Sequence, residues 1–277
     1  MTHLSASVAY PGTLHIEGGH LAFGVRTLFR CLSFALPPDS WSCLLGRSGC
    51  GKSSLLRLMA GLPVAYDAGL KVKDERGAAF DGRTAWMGQQ DLLLPWRRVI
   101  DNVQLGAAMR GESGDPAHAR ALLDEVGLLS AAQRYPQTLS GGERARVALA
   151  RTLYEAAPLV LMDEPFAALD AMTRLDLHAL ASRLLQGCQV LMVTHDPLEA
   201  LRLSDQILLM QGSPAMLERF APPPGARLRD PAAPEMSDYH ARLLKALSQS
   251  HRPEDRPIGC KAPGPGAAGA TTEAPFS

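Results

Sequence analysis

No run of about 18 uncharged apolar residues occurs anywhere in the 277 residues, so no membrane-spanning helix is expected. The first residues, MTHLSASVAYPGTLHIEGG, lack a basic start and an apolar run, and no export signal is expected either. Cysteine offers no framework: its five copies, Cys31, Cys43, Cys50, Cys188 and Cys260, are odd in number and scattered without a C-x-x-C pair. That pattern shows no zinc-ligand spacing and suits a reducing compartment, hence the cytosol. Net charge is absent too. With 28 basic and 28 acidic residues there is no electrostatic footprint for duplex DNA, and no nucleic-acid partner is expected.

What is present is an apolar content of 46%, enough for one large α/β domain or two small ones whose core needs no disulfides. Short β-rich apolar runs alternate with helical segments, the pattern of a mainly parallel sheet flanked by helices. The spacing predicts strands at 41–45, 84–87, 159–162, 189–193 and 206–210. Between the second and third of these, over about 92–157, the pattern turns helical, as in ALLDEVGLL, and reads as a helical insert in the α/β core. Ten of the 21 prolines lie after residue 220, and 251–277 reads as a low-complexity, disordered tail. One amphipathic helix is predicted over about 237–248, within a C-terminal extension of 213–250, with Leu243, Leu244 and Leu247 on one face. No internal repeat is visible.

GRSGCGKSS at 46–54 fits G-x-x-x-x-G-K-[ST], with a predicted strand before it and a predicted helix after it. In such a loop the backbone of Gly46, Arg47, Ser48, Gly49, Cys50 and Gly51 points N–H groups into one concavity for phosphates. The helix N-terminus at Ser53 and Ser54 adds its partial positive charge. Lys52 is suited to the β- and γ-phosphates and Ser53 to Mg²⁺. Lysine is scarce, five in the chain, yet one stands at the required position.

PLVLMDEP places Asp163 and Glu164 at the end of a buried strand, the edge where open α/β sheets bind ligands. Asp163 suits Mg²⁺ through water and Glu164 suits activation of a water; standing alone, the two would sooner read as the start of a turn before Pro165. QVLMVTHD likewise ends a strand at His195. Far from the phosphate loop, SGG at Ser140, Gly141 and Gly142 precedes an Arg-rich helix and offers a second anion-facing helix N-terminus, which Ser140 is suited to cap.

Together these residues resemble the ATP-binding subunit of an ABC transporter, over about 14–212. The phosphate loop, LSGGE at 139–143, LMDEP at 161–165, ALD at 168–170 and THD at 194–196 stand in that family's order. The resemblance implies an α/β P-loop NTPase fold of the ABC ATPase type with a helical signature subdomain, and transport-coupled hydrolysis of ATP with Mg²⁺. It implies that Gln89 senses Mg²⁺ and γ-phosphate, that Glu164 and His195 are catalytic, and that Asp163 with Ser53 serves the metal. It implies that Ser140, Gly141, Gly142 and Asp170 join the nucleotide site, and that a head-to-tail homodimer sandwiches ATP between the loop of one protomer and the signature of the other. Phe23 falls where an aromatic residue stacks on adenine, or else packs in the core. Three departures stand out: Glu143 for the usual Gln, Ser54 where Thr is common, and Asp39 in a turn where Gly is usual. Asp39 would be strained if that turn needs a positive φ.

A motor of this kind implies separate transmembrane permease subunits, an extracytoplasmic solute-binding protein acting indirectly, and a peripheral location on the cytoplasmic face of the membrane. Leu92, Leu93, Leu94 and Trp96, in the segment after Gln89, either contact the permease or pack the helical insert. LLPW followed by R-x-V-x-D-N-V is most similar to importers of the nitrate, sulfonate, taurine and thiamine-pyrimidine group. An exporter subunit is the alternative, and a P-loop kinase would leave SGGE and His195 unexplained. Lys52 and Ser140 are 88 residues apart without sustained heptads, unlike the DNA-acting relatives with a long coiled coil.

Overall fold

Along β3 (Trp41–Gly46) the side chains of Trp41, Cys43 and Leu45 enter one apolar cluster and Leu44 the opposite one, so the strand is buried on both faces. The same division runs through its neighbours β6 (Leu159–Asp163), β7 (Gln189–Thr194) and β8 (Gln206–Gly212): Val160, Met162, Val190 and Met192 lie on the Trp41 side, and Leu159, Leu161, Leu191 and Val193 on the Leu44 side. A computed structural model describes residues 12–64, 67–80 and 82–248 of the chain.

These strands form the middle of a nine-stranded mixed sheet. The other members are β1 (Leu14–Phe23), β2 (Arg26–Leu36), β4 (Asp67–Lys73), β5 (Thr84–Met87) and β9 (Ala215–Phe220), and the order is β4-β1-β2-β9-β8-β3-β7-β6-β5. The run β8-β3-β7-β6-β5 is parallel throughout. Antiparallel pairing joins β4 to β1, β1 to β2 and β8 to β9. The five strands expected from the sequence are present, with ends one or two residues longer in four of them; β1, β2, β4 and β9 were not anticipated. Register shifts between Ile16 and Gly19 and between Gly19 and Leu21 break the period-2 alternation of β1, which is the signal such a strand carries.

The helix α1 (Lys52–Met59) follows β3 and lays Leu55 and Leu56 on the Leu44 side. Between Met87 and Leu159 every regular element is helical: α2 (Val99–Val103), α3 (Leu105–Met109), α4 (Pro116–Glu125), two short 3₁₀ turns, and α5 (Gly141–Tyr154). The two helices α6 (Ala171–Leu184) and α7 (Pro197–Leu203) follow β6 and β7, and α8 (Pro234–Ser248) ends the described chain. Local chemistry sets several starts. Asp115 caps α4 and Asp196 caps α7, each with proline at the first helical position, where its missing N–H costs nothing.

α8 covers the region predicted as an amphipathic helix, but its buried face is Met236 and Leu243, with Leu247 half-buried and Leu244 exposed. The expected Leu243–Leu244–Leu247 face is corrected accordingly: consecutive residues diverge by about 100° on a helix, so Leu243 and Leu244 do not share a packed stripe. Asp39 does take a positive φ, 44°, and its carboxylate accepts a hydrogen bond from Gly187 N at 2.8 Å, a local compensation that glycine would lack. The expected tail at 251–277 lies outside the described residues.

Candidate functional site

The loop between β3 and α1 is shaped by close approach and by handedness. A Cβ on Gly46 would lie 2.4 Å from the Met210 carbonyl oxygen on β8, and Gly51 has a φ of 102°, a region that favours glycine. Lys52 is only 6% exposed, and its Nζ donates to the carbonyl oxygens of Gly46 (2.8 Å) and Arg47 (3.1 Å), which holds the ammonium inside the loop. α1 has no side-chain cap, whereas α4, α5, α6 and α7 are capped by Asp115, Ser140, Asp170 and Asp196. Its N-cap, Gly51, offers the first N–H groups no side-chain acceptor, which suits binding of an anion there.

Ser53, at the start of α1, donates from Oγ to Asp163 Oδ1 at 2.9 Å, joining the loop to the end of β6. Burial pushes the Asp163 carboxyl above its ordinary value; the Ser53 hydrogen bond opposes this and the neighbouring Glu164 charge reinforces it. A hydroxyl and a partly desolvated carboxylate in contact make a hard oxygen donor set, the chemistry Mg²⁺ prefers, so these residues fit that ion.

Glu164 has a φ of 49° and donates its backbone N–H to Val193 O at 2.9 Å. A non-glycine residue held there costs of order 1–3 kcal/mol, and such strain gathers at functional sites. Its Oε2 accepts from His195 Nδ1 at 2.9 Å, so the ends of β6 and β7 meet through these two side chains. The phosphate loop, Ser53, Asp163, Glu164 and His195 are thus gathered along the C-terminal edge of the parallel strands.

Gln89 is exposed after β5 and shares a cavity of about 300 Å³ with Gly141, Arg144, Ala168 and Leu169. Ser140 and Glu143 form a capping box: Glu143 N donates to Ser140 Oγ at 3.2 Å and Ser140 N donates to Glu143 Oε2 at 2.7 Å. That backbone hydrogen bond, first among the causes, holds the Glu143 carboxyl below its ordinary value. The departure from Gln at this position therefore keeps the acceptor the cap requires. A Cβ on Gly142 would sit 2.6 Å from Thr173 Cγ2 on α6, so a side chain there would require Thr173 to shift. Asp170 accepts from Thr173 N at 3.0 Å as the cap of α6, and hydrogen bonding from the Thr173 side chain first, then from its backbone, lowers the Asp170 carboxyl.

Sequence reading missed a clamp. Arg144 and Arg151 on α5 hold the segment after Gln89: Arg144 Nε donates to Asp91 Oδ2 at 2.9 Å, and Arg151 donates to the carbonyls of Asp91 (2.6 Å) and Leu92 (3.0 Å). Their seven-residue spacing, two turns on one helix face, is the signal that was there to find. The four apolar residues of this segment divide: Leu93 is buried and Leu94 half-buried, while Leu92 and Trp96 are 59% and 71% exposed. Buried Asn102 fixes the loop by accepting from Leu94 N at 2.7 Å and donating to the carbonyls of Leu94, Arg97 and Arg98. Phe23 closes β1 opposite Arg26 and is 36% exposed.

A capless helix after a glycine loop, on a largely parallel sheet ending in carboxylates, defines a P-loop nucleoside triphosphatase. The model of the ABC transporter family matches residues 29–167. An aliphatic sulfonates import ATP-binding protein of Burkholderia cenocepacia is 43% identical over 234 residues, 84% of this chain and 71% of that protein. One of the same description from Paracoccus denitrificans is 40% identical over 252 residues, 90% of this chain and 98% of its own length. Among solved structures, a chain of an ABC transporter in an inward-facing conformation superposes with a TM-score of 0.64 at 23% identity, covering 76% of this chain and 83% of its own, and so shares the fold. The chain belongs to the ABC transporter family, and its activity is the hydrolysis of ATP in transport.

Proposed function

We propose that this chain is the motor subunit of an importer for a small sulfonate-type nutrient, working as a head-to-tail homodimer under separate permease subunits at the cytoplasmic face of a membrane. The observation that carries the reading is the contact of Ser53 with Asp163 beside that of Glu164 with His195. The names of the relatives, both import proteins for aliphatic sulfonates, support the direction and the solute class. Among the described residues no helix is long and apolar enough to cross a membrane.

In this reading the open N–H groups of α1 and the Lys52 ammonium bind the phosphates, and Phe23 stacks on the base. Ser53 and Asp163, with Gln89, would hold Mg²⁺, which would supply positive charge against the phosphates. Glu164 takes a proton from the attacking water while His195 orients the carboxylate and meets the γ-phosphate. Ser140, Gly141 and Gly142 present α5 to the ATP of the partner protomer, with Asp170 at the same seam. Closure is carried through Gln89 and the arginine clamp to exposed Leu92 and Trp96, which face the permease. A solute-binding protein delivers substrate from the other side.

Vesicles containing this chain and its permease subunits, supplied with the solute-binding protein, test the reading. They should accumulate labelled alkanesulfonate only with ATP and Mg²⁺. ATP-driven efflux, or uptake of other solutes with none of sulfonate, contradicts it.

A further inference from the structure

The two helices that follow the catalytic strand ends are joined by two polar rungs. Arg174 and His178 lie one turn apart on α6, and Asp196 and Glu199 lie about one turn apart at the start of α7. The outer rung, Arg174 to Asp196, is a partly exposed ion pair at 3.7 Å. The inner rung is different. His178 Nε2 lies 2.9 Å from Glu199 Oε1, with side chains only 3% and 6% exposed. The His178 ring also meets Phe166 edge-on, with centroids 4.8 Å apart at 69°.

Phe166 stands two residues beyond Glu164 and is fully buried, and α7 begins two residues beyond His195. His178 therefore touches the segment that carries one member of the Glu164–His195 contact and, through Glu199, the helix that starts just after the other. An apolar pair would fill this space without desolvating a carboxylate, and such replacements are often neutral or stabilising. The polar pair carries a further burden, since His178 Nδ1 is buried without a hydrogen bond. What it adds over apolar packing is direction: one hydrogen bond sets the rotation and height of α7 against α6.

We propose that His178 and Glu199 are positioning residues for ATP hydrolysis, holding Glu164 and His195 at their 2.9 Å contact by locking α7 to the Phe166 segment. This rests on the reading that Glu164 and His195 serve the reaction.

The test is the apolar pair His178→Leu/Glu199→Leu beside the conservative His178→Gln, whose amide can still donate to Glu199. Steady-state kinetics are read on the dimer assembled with its permease, with thermal midpoints in parallel. The double variant should keep its thermal midpoint and its KM for ATP while kcat falls about 10- to 100-fold, the scale of a misplaced catalytic group. His178→Gln should restore kcat. A double variant with unreduced kcat overturns the proposal and makes the pair a packing element. Should the double variant not fold, His178→Asn, which keeps the amide but shortens the reach, is read well below its own midpoint. There a lowered kcat at constant KM supports the proposal, and an unreduced kcat overturns it. Glu164→Gln separates the two levels: if it is inactive while the apolar pair is fully active, only the positioning role fails, whereas an active Glu164→Gln overturns the catalytic reading beneath it.

Discussion

Ser53 Oγ donates to Asp163 Oδ1 at 2.9 Å, across 110 residues of sequence. Burial raises the Asp163 carboxyl, so the folded protein holds that proton more tightly than the unfolded chain does. The linked stabilisation is full below the unfolded value and is lost as pH rises through the raised folded value. At neutral pH the ionised carboxylate is thus a local cost, which a bound cation offsets. Asp163→Asn should therefore raise the thermal midpoint of the nucleotide-free protein at neutral pH, and the gain should shrink on acidification through the carboxylate range. It should also abolish the extra stabilisation that Mg²⁺ adds to ATP. Thermal scans with and without Mg-ATP across pH check both; an Asn variant that is less stable at neutral pH and keeps the Mg²⁺ increment contradicts the assignment.

Asp39 makes a separate prediction about the fold. Its φ of 44° and its bond from Gly187 N suit Asp or Asn, both of which tolerate this region. Asp39→Asn should change stability by less than about 0.5 kcal/mol. Asp39→Val, β-branched and without an acceptor, should cost about 1–3 kcal/mol. Denaturant unfolding of the two variants measures the difference, and equal stabilities would show that the turn relaxes.

These two positions show what the sequence carries and what it does not. The phosphate loop, Asp163, Glu164 and His195 were legible because each stands at the end of a strand buried on both faces, and such strands read as unbroken apolar runs. β1 was not legible, because its register shifts around Gly19 interrupt the alternation. The arginine clamp was hidden for another reason: Arg144 and Asp91 are 53 residues apart, and Arg151 reaches the Asp91 carbonyl from 60. Meetings of that kind depend on how α5 packs: the seven-residue spacing puts both arginines on one face but does not say what that face meets. His178 and Glu199 are only 21 residues apart, yet each reads as one polar residue on an otherwise ordinary helix.

The signature glycines lead to a prediction about assembly. If the α5 N-terminus of one protomer completes the site of the other, Lys52→Ala and Gly142→Asp damage different parts of one composite site. Each homodimer has two damaged sites, whereas the mixed dimer gathers both lesions into one and leaves the other intact. Phosphate release from doubly tagged mixed dimers, assembled with the permease, should exceed that of either homodimer. No gain, while a dimer of intact and Lys52→Ala protomers remains active, would place each site within one chain.

Glu164 carries the account, being strained at a φ of 49° and held by His195 at 2.9 Å. The most direct measurement is phosphate release by Glu164→Gln, which keeps size and polarity and removes the base. ATP with Mg²⁺ should still bind and hold the dimer together, while turnover falls by about 10²–10⁴, the usual contribution of a general base. Turnover within a few-fold of the unsubstituted protein, with binding unchanged, would contradict the account.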